Sequence, residues 1–239
     1  MTEIKPFIFK KFKVEQDLVP MKVGTDGVLV GVWAELGGVS KTLDIGTGTG
    51  VISLILAQRL SGKSEIHSID VDDKAIVQST NNFKNSPWPE NFVVHHSSIQ
   101  DFAMNSNDRF DLIISNPPFF TGGLLSENND RNDVRHTIKL PHGDLLLAVS
   151  KLLKSEGSLA IILPYLQGLR FIEISESYRL YPFRITEVKS RMDKTIERLL
   201  IQFRKGKSMV LQNEIIIHSE GDEFSSEYKS LTRDFYLNF

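Results

Sequence analysis

The 239 residues include no cysteine, are 41% hydrophobic and 24% charged, and carry a formal net charge of −2. Length and composition suit a globular chain with a real core, and the absence of cysteine excludes disulfides, thiolate zinc sites and a cysteine nucleophile. The N-terminus lacks the apolar centre of a signal peptide and no run is long enough to span a bilayer, so a soluble cytoplasmic protein is expected, with no membrane partner.

In chain order, "FIFKKFKV" reads as an extended segment. A helix is expected from Asp26 to Leu36, with Thr25 or Asp26 capping its start and Gly37–Gly38 its end. Gly24 and Gly27 allow the backbone there to approach a ligand closely. Strand and helix signals then alternate. Strands are expected at 42–45, 65–71, 91–96, 110–115 and 158–163, and helices at 51–60, 73–84, 143–153 and from Pro164 to Glu176. Residues 121–140 form the longest polar stretch and read as a flap on the substrate side. Two strands then follow without a helix, in 183–192 and 196–205, the pattern of an antiparallel hairpin. The expected fold is α/β: a seven-stranded, mainly parallel Rossmann-like sheet with helices on both faces. The expected organisation is one domain, with an extension at 1–40, a core at 41–205 and a C-terminal extension at 206–239.

Charge is uneven along the chain. Lys5, Lys10, Lys11, Lys13 and Lys22 face only Glu15 and Asp17 in the first basic segment. Residues 184–207 form a second basic segment. Together they can hold the phosphates of a nucleic acid, because such contacts depend on local charge.

Three turns carry the chemistry. In "LDIGTGTG", Asp44 ends a strand and Gly46, Gly48 and Gly50 lead into a helix. The spacing is neither a P-loop nor the Gly-x-Gly-x-x-Gly of dinucleotide folds. It resembles motif I of the class I S-adenosylmethionine-dependent methyltransferases. Asp70 ends the next strand, 20 residues after Gly50, where a carboxylate can accept both hydroxyls of a ribose. Asp72 is expected to cap the following helix. In "HHSSIQDF", Ser98 stands where the methyltransferases often place an Asp against the cofactor's adenine, with Ile99 beside it to pack on the ring and Asp101 three residues on.

The third turn is "SNPPFF", with Asn116, Pro117, Pro118 and Phe119 at its centre. An exocyclic amino group is a weak nucleophile because its lone pair is delocalised into the ring. The Asn116 side-chain oxygen and the Pro117 carbonyl can each accept one amino hydrogen, favouring pyramidalisation and the positive charge that develops on nitrogen. The two prolines stiffen the acceptors and Phe119 offers a stacking face worth about 1–3 kcal/mol. Phe120 has no assigned role.

The segments "FKKFKVEQD", "MKVGTDGVLVGVWA", "NNFKNSPWPENFVVH" and "EYKSLTRDFYL" extend the likeness from about residue 9 to about residue 237. Over that span the chain closely resembles the tRNA1(Val) adenine-37 N6-methyltransferase family. The resemblance implies S-adenosylmethionine as cofactor, the adenine beside the anticodon of a valine tRNA as target, no DNA substrate, and Thr25 and Asp26 at the methionine end of the cofactor. Two other readings share parts of the pattern. Enzymes methylating another planar amino or amide nitrogen, of ribosomal RNA or of a release-factor glutamine, also use Asn-Pro-Pro. The glutamine enzymes, however, carry a helical N-terminal domain, and only about 40 residues precede "LDIG" here. A dinucleotide-binding protein would explain Asp44–Gly50 and Asp70 but gives residues 116–119 no role. The six histidines show no metal-binding spacing.

Overall fold

The computed structural model describes residues 4–117, 140–219, 221 and 223–238. The chain opens with a short antiparallel pair, β1 (Phe7–Ile8) and β2 (Lys13–Val14), followed by helix α1 (Thr25–Trp33). Then come β3 (Lys41–Ile45), α2 (Val51–Arg59), β4 (Glu65–Asp70), α3 (Asp73–Lys84) and β5 (Phe92–His96). After these follow α4 (Ile99–Asn105), β6 (Phe110–Ser115), α5 (His142–Leu152), β7 (Leu153–Pro164) and α6 (Tyr165–Ser175). The chain closes with β8 (Tyr181–Lys189), β9 (Arg198–Arg204), β10 (Leu211–Ile216) and α7 (Ser226–Thr232).

Among the described residues eight strands form one sheet in the order β10-β8-β9-β7-β6-β3-β4-β5. Only β9 is reversed: it pairs antiparallel with both β7 and β8. The expected α/β class and the antiparallel hairpin are therefore present, and the sheet has one strand more than expected. The added strand, β10, runs parallel to β8 at the edge. Its sequence, "LQNEII", buries only Ile215, so it lacks the alternation that marks a strand covered on one face.

Alternate residues of the central strands feed two cores. Leu112, Ile114, Ala160, Ile162 and Leu200 face α1, α2 and the N-terminal segment. Leu43, Ile113, Leu159, Ile161 and Ile201 face α4, α5 and α6. This period of two, buried on both faces, is what a parallel sheet wrapped by crossover helices requires.

Two expected helix boundaries shift. The N-cap of α1 is Gly24, with no side chain bonding the first turn, so neither Thr25 nor Asp26 caps it. The helix also ends at Trp33 rather than Leu36, because Ala34 turns to an extended conformation. The end is settled by a distant partner: Arg59 Nη1 donates to the carbonyls of Gly31 and Ala34, both at 2.8 Å. Those carbonyls would otherwise lack partners at a helix C-terminus. Asp72 does cap α3, accepting from Lys74 N at 2.9 Å. No helix among the described residues is long and apolar enough to cross a membrane.

Candidate active site

Strand order fixes the location. From β3 the sheet runs one way through β4 to β5 and the other way through β6, so the C-terminal ends of β3 and β6 form a switch point. Ligands of open α/β sheets bind at such points. Asp70 ends β4 and Asn116 follows β6, so the turn after β3 lies between them, with neighbouring strands about 4.8 Å apart.

The turn itself is built from three left-handed glycines, Gly46, Gly48 and Gly50, at φ 74°, 53° and 82°. Gly46 N and Thr47 N both donate to Ile69 O, at 2.9 and 3.1 Å. Asp70 completes the fastening: Oδ2 accepts from Gly48 N at 2.9 Å and Oδ1 from Asp72 N at 3.1 Å. Each carboxylate oxygen keeps a second lone-pair direction for an incoming hydroxyl. A Cβ at Gly46 or Gly48 would meet nothing within 4 Å, so open space lies over the turn.

Beneath it Asp44 is fully buried. Its Oδ2 accepts from Thr47 Oγ1 at 2.8 Å and from Ser53 Oγ at 2.7 Å, and Ser53 in turn meets Ser68 Oγ at 2.8 Å. Its Oδ1 has no partner among the described residues. Burial pushes the Asp44 carboxyl up to about 6, assisted by the Asp70 charge and opposed by the two hydroxyls. A folded-state value above the unfolded one means that the protonated form stabilises the fold. That contribution is complete below the unfolded value and is lost as pH rises through about 6, a cost of about 3 kcal/mol once Asp44 is ionised. Asp44→Asn removes the ionisation. The stability of the variant relative to wild type, from urea denaturation, is therefore expected to rise by up to about 3 kcal/mol between pH ~4 and pH ~7.5. A difference that stays level across that range would show that Asp44 does not titrate as argued.

At the end of β6, Ser115 Oγ donates to Ile45 O at 2.8 Å and ties the strand to β3. Asn116 Oδ1 is buried with no partner among the described residues. On its other side Nδ2 lies beside α1, and a Cβ at Gly27 would come within 3.9 Å of it. Pro117 is buried. Pro118, Phe119 and Phe120 lie outside the described residues, as does the expected flap at 121–140 apart from Leu140.

Residues 38–214 match a family model described as a methyltransferase domain. A relative from Actinobacillus succinogenes is 39% identical over 233 residues, covering 98% of each chain. Another, from Flavobacterium psychrophilum, is 37% identical and covers 97% of this chain and 99% of its own. Both are named tRNA1(Val) (adenine(37)-N6)-methyltransferase. This chain belongs to that family. Among solved structures, a protein from Agrobacterium tumefaciens described as a predicted O-methyltransferase superposes with a TM-score of 0.70 at 18% identity, over 88% of this chain and 96% of its own. That likeness establishes the class I methyltransferase fold.

The other residues singled out by their likeness to methyltransferases fall around this centre in different states. Ser98 is the N-cap of α4: its Oγ accepts from Asp101 N at 3.0 Å and lies 2.7 Å from Asp101 Oδ2, to which it donates. Ile99 is buried in the core under α4. Thr25 is exposed at the first turn of α1. Asp26 accepts from Arg198 Nε at 2.9 Å, which pins the start of α1 to the start of β9. Arg198, Thr47 and Ser53 were not anticipated from the methyltransferase motifs. Thr47 and Ser53 carried a weak signal as hydroxyls within ten residues of a buried strand-end Asp; Arg198, 172 residues from its partner, carried none. Among the described residues no group of three or more His, Asp or Glu is placed to hold a metal.

Proposed function

We propose that this methyltransferase transfers the methyl group of S-adenosylmethionine to N6 of an adenine in tRNA, and that the adenine is number 37 in the anticodon loop of tRNA1(Val). The observation that carries the reading is the buried Oδ1 of Asn116 just after β6, beside the glycine turn and without a partner among the described residues. A buried acceptor without a donor costs about 1–3 kcal/mol unless a ligand supplies the donor. An adenine amino group does so. The names of the relatives support tRNA as the substrate.

The roles then follow by position. Gly46 and Gly48 leave room over the turn for the methionine part of the cofactor, Gly50 packs the turn against Phe83, and Thr25 and Asp26 lie toward the same methionine end. Asp70 takes the ribose hydroxyls on its remaining lone pairs. Ile99 packs toward the adenine ring; the hydroxyl of Ser98 already serves the α4 cap, so its contact there must come by sharing. Bound S-adenosylmethionine supplies an electrophilic methyl group on a sulfonium centre. Asn116 Oδ1 and the Pro117 carbonyl hold the two amino hydrogens and stabilise the charge that grows on nitrogen as it attacks. No strong base is needed, because the cation formed loses its proton readily to water. Pro117 and Pro118 hold these acceptors in place before the base arrives, and Phe119 stacks on it. An anticodon-loop base is single-stranded, so extruding it costs less than flipping one out of a duplex. We read residues 1–239 as one methyltransferase domain, with 1–40 and 206–239 as extensions of the 41–205 core, acting in the cytoplasm where tRNA is found.

The test uses methyl-labelled S-adenosylmethionine with unmodified transcripts of valine tRNA, other tRNAs, ribosomal RNA and DNA, followed by nucleoside analysis by mass spectrometry. N6-methyladenosine at position 37 of the valine transcript is expected. Label on ribosomal RNA or DNA with none on tRNA would overturn the substrate assignment.

A further inference from the structure

We infer that the groove at the C-terminal end of α2 is an anion site for backbone phosphates of the tRNA substrate, away from the target base. The inference rests on the tRNA reading above and adds a place where the nucleic acid is held.

The groove has a volume of about 560 Å³, and Lys10, Lys11, Gln58, Arg59, Asp234 and Phe235 are among its lining residues. Arg59 is the decisive member. Its side chain is half-buried, and its hydrogen bonds among the described residues go to the main-chain carbonyls of Gly31 and Ala34. Burial and the nearby charge of Arg184 push its pKa down to about 10. A half-buried cation with no counter-ion among the described residues is costly in a fold, and an anionic ligand would offset that cost. Two further cations, Lys10 and Lys11, are exposed at the same groove. The acid among the described lining residues, Asp234, lies 3.9 Å from Arg233 Nε. Gln58 donates to Asp234 O at 2.8 Å while its own Oε1 is buried without a partner among the described residues.

The groove is joined to the active site by the N-terminal segment. Lys10 N donates to Phe235 O and its Nζ to Arg233 O at the groove. Further along, Glu15 N donates to Asn82 Oδ1, and Asn82 Nδ2 reaches Thr49 O in the glycine turn. Leu18 N bonds Gln78, and the segment then ends at Gly24 beside the site. Lys10, Lys11, Lys13 and Lys22 are exposed along this path. The nine residues of α2 separate the glycine turn from Arg59, about 13 Å at 1.5 Å per residue. An RNA whose target base is extruded at Asn116 can therefore lay its backbone along the lysines and seat a phosphate against Arg59. Phosphate contacts of this kind position a nucleic acid without reading its sequence.

The experiment compares wild type, Lys11→Glu, Lys10→Glu/Lys11→Glu and a control, Lys151→Glu, which lies on α5 under the other face of the sheet. Valine tRNA binding is measured as a function of salt, alongside KM for tRNA, kcat and S-adenosylmethionine affinity. The double variant is expected to weaken tRNA binding and raise KM by about tenfold at moderate salt, and to flatten the log–log salt slope by about two. Lys11→Glu should give a smaller change in the same direction, and kcat at saturating tRNA and cofactor affinity should be unchanged. The control should stay within about twofold of wild type. A wild type that methylates tRNA, with both groove variants matching it in KM and salt slope, overturns the groove and leaves the functional reading standing. A wild type that neither binds nor methylates tRNA overturns both.

Discussion

Asn116→Ala is expected to lower kcat by about 10²–10³, the range seen when one charge-stabilising contact of a transition state is removed. The loss should appear in single-turnover methylation of tRNA. Affinity for S-adenosylmethionine, measured by calorimetry, should change little, because the glycine turn and Asp70 are held by Ile69, Gly48 and Asp72 rather than by Asn116. Stability should also hold. The substitution deletes a buried oxygen that has no partner among the described residues, so the folded state gives up no hydrogen bond to them at that atom. Those three results together separate a role in the chemistry from a role in the fold. Asn116→Asp keeps an acceptor and should retain part of the activity. An alanine variant with wild-type turnover would remove the argument for nitrogen methylation at this turn.

Gly50→Ala is expected to destabilise the protein by about 2–5 kcal/mol, read from the urea midpoint. Two effects combine. Gly50 has φ +82°, a conformation that a Cβ strains. The new atom would also lie 2.5 Å from Phe83 Cε1, 2.8 Å from Phe83 Cζ and 3.3 Å from Ser79 Cβ. Phe83 cannot easily yield, because it is buried and stacked flat on Phe92 at 4.1 Å. Gly46→Ala gives the contrast. Its φ is also positive, at 74°, yet a Cβ there meets nothing within 4 Å. Strain of about 1 kcal/mol should be the main stability cost, while the methyl group occupies the space over the turn and weakens cofactor binding. Equal effects of the two variants on stability would show that Phe83 moves aside.

Much of the local structure was legible because it is encoded at short range. A strand buried on both faces shows as an apolar run, as in "FDLIIS", and β6 spans those same residues. The glycine spacing after Asp44 marked a glycine turn leading into a helix, and in the structure all three glycines adopt positive φ. Asp72 as a helix cap is likewise a local rule. Three features were not legible. β10 escaped notice because an edge strand with one buried side chain has little hydrophobic signal. The start of α1 was misread because Asp26, a good cap by type, is drawn away by Arg198. The helix α4 was missed because its seven residues are too few to show a period, although Ser98 and Asp101 form a cap that sequence can suggest.

The residues alone thus specify most of the elements, the glycine turn, Asp70 and the "SNPP" corner, since each depends on backbone preferences and burial within a few residues. Where these meet is another matter. In the chain β6 follows β5; in the sheet it lies against β3, and only that crossing brings Asn116 beside the glycine turn. The same holds for Arg59 at the end of α1 and for the Asn116 oxygen that no described residue partners. Both are outcomes of packing between segments distant in the chain, and no local pattern records which buried atoms the finished fold leaves without a partner.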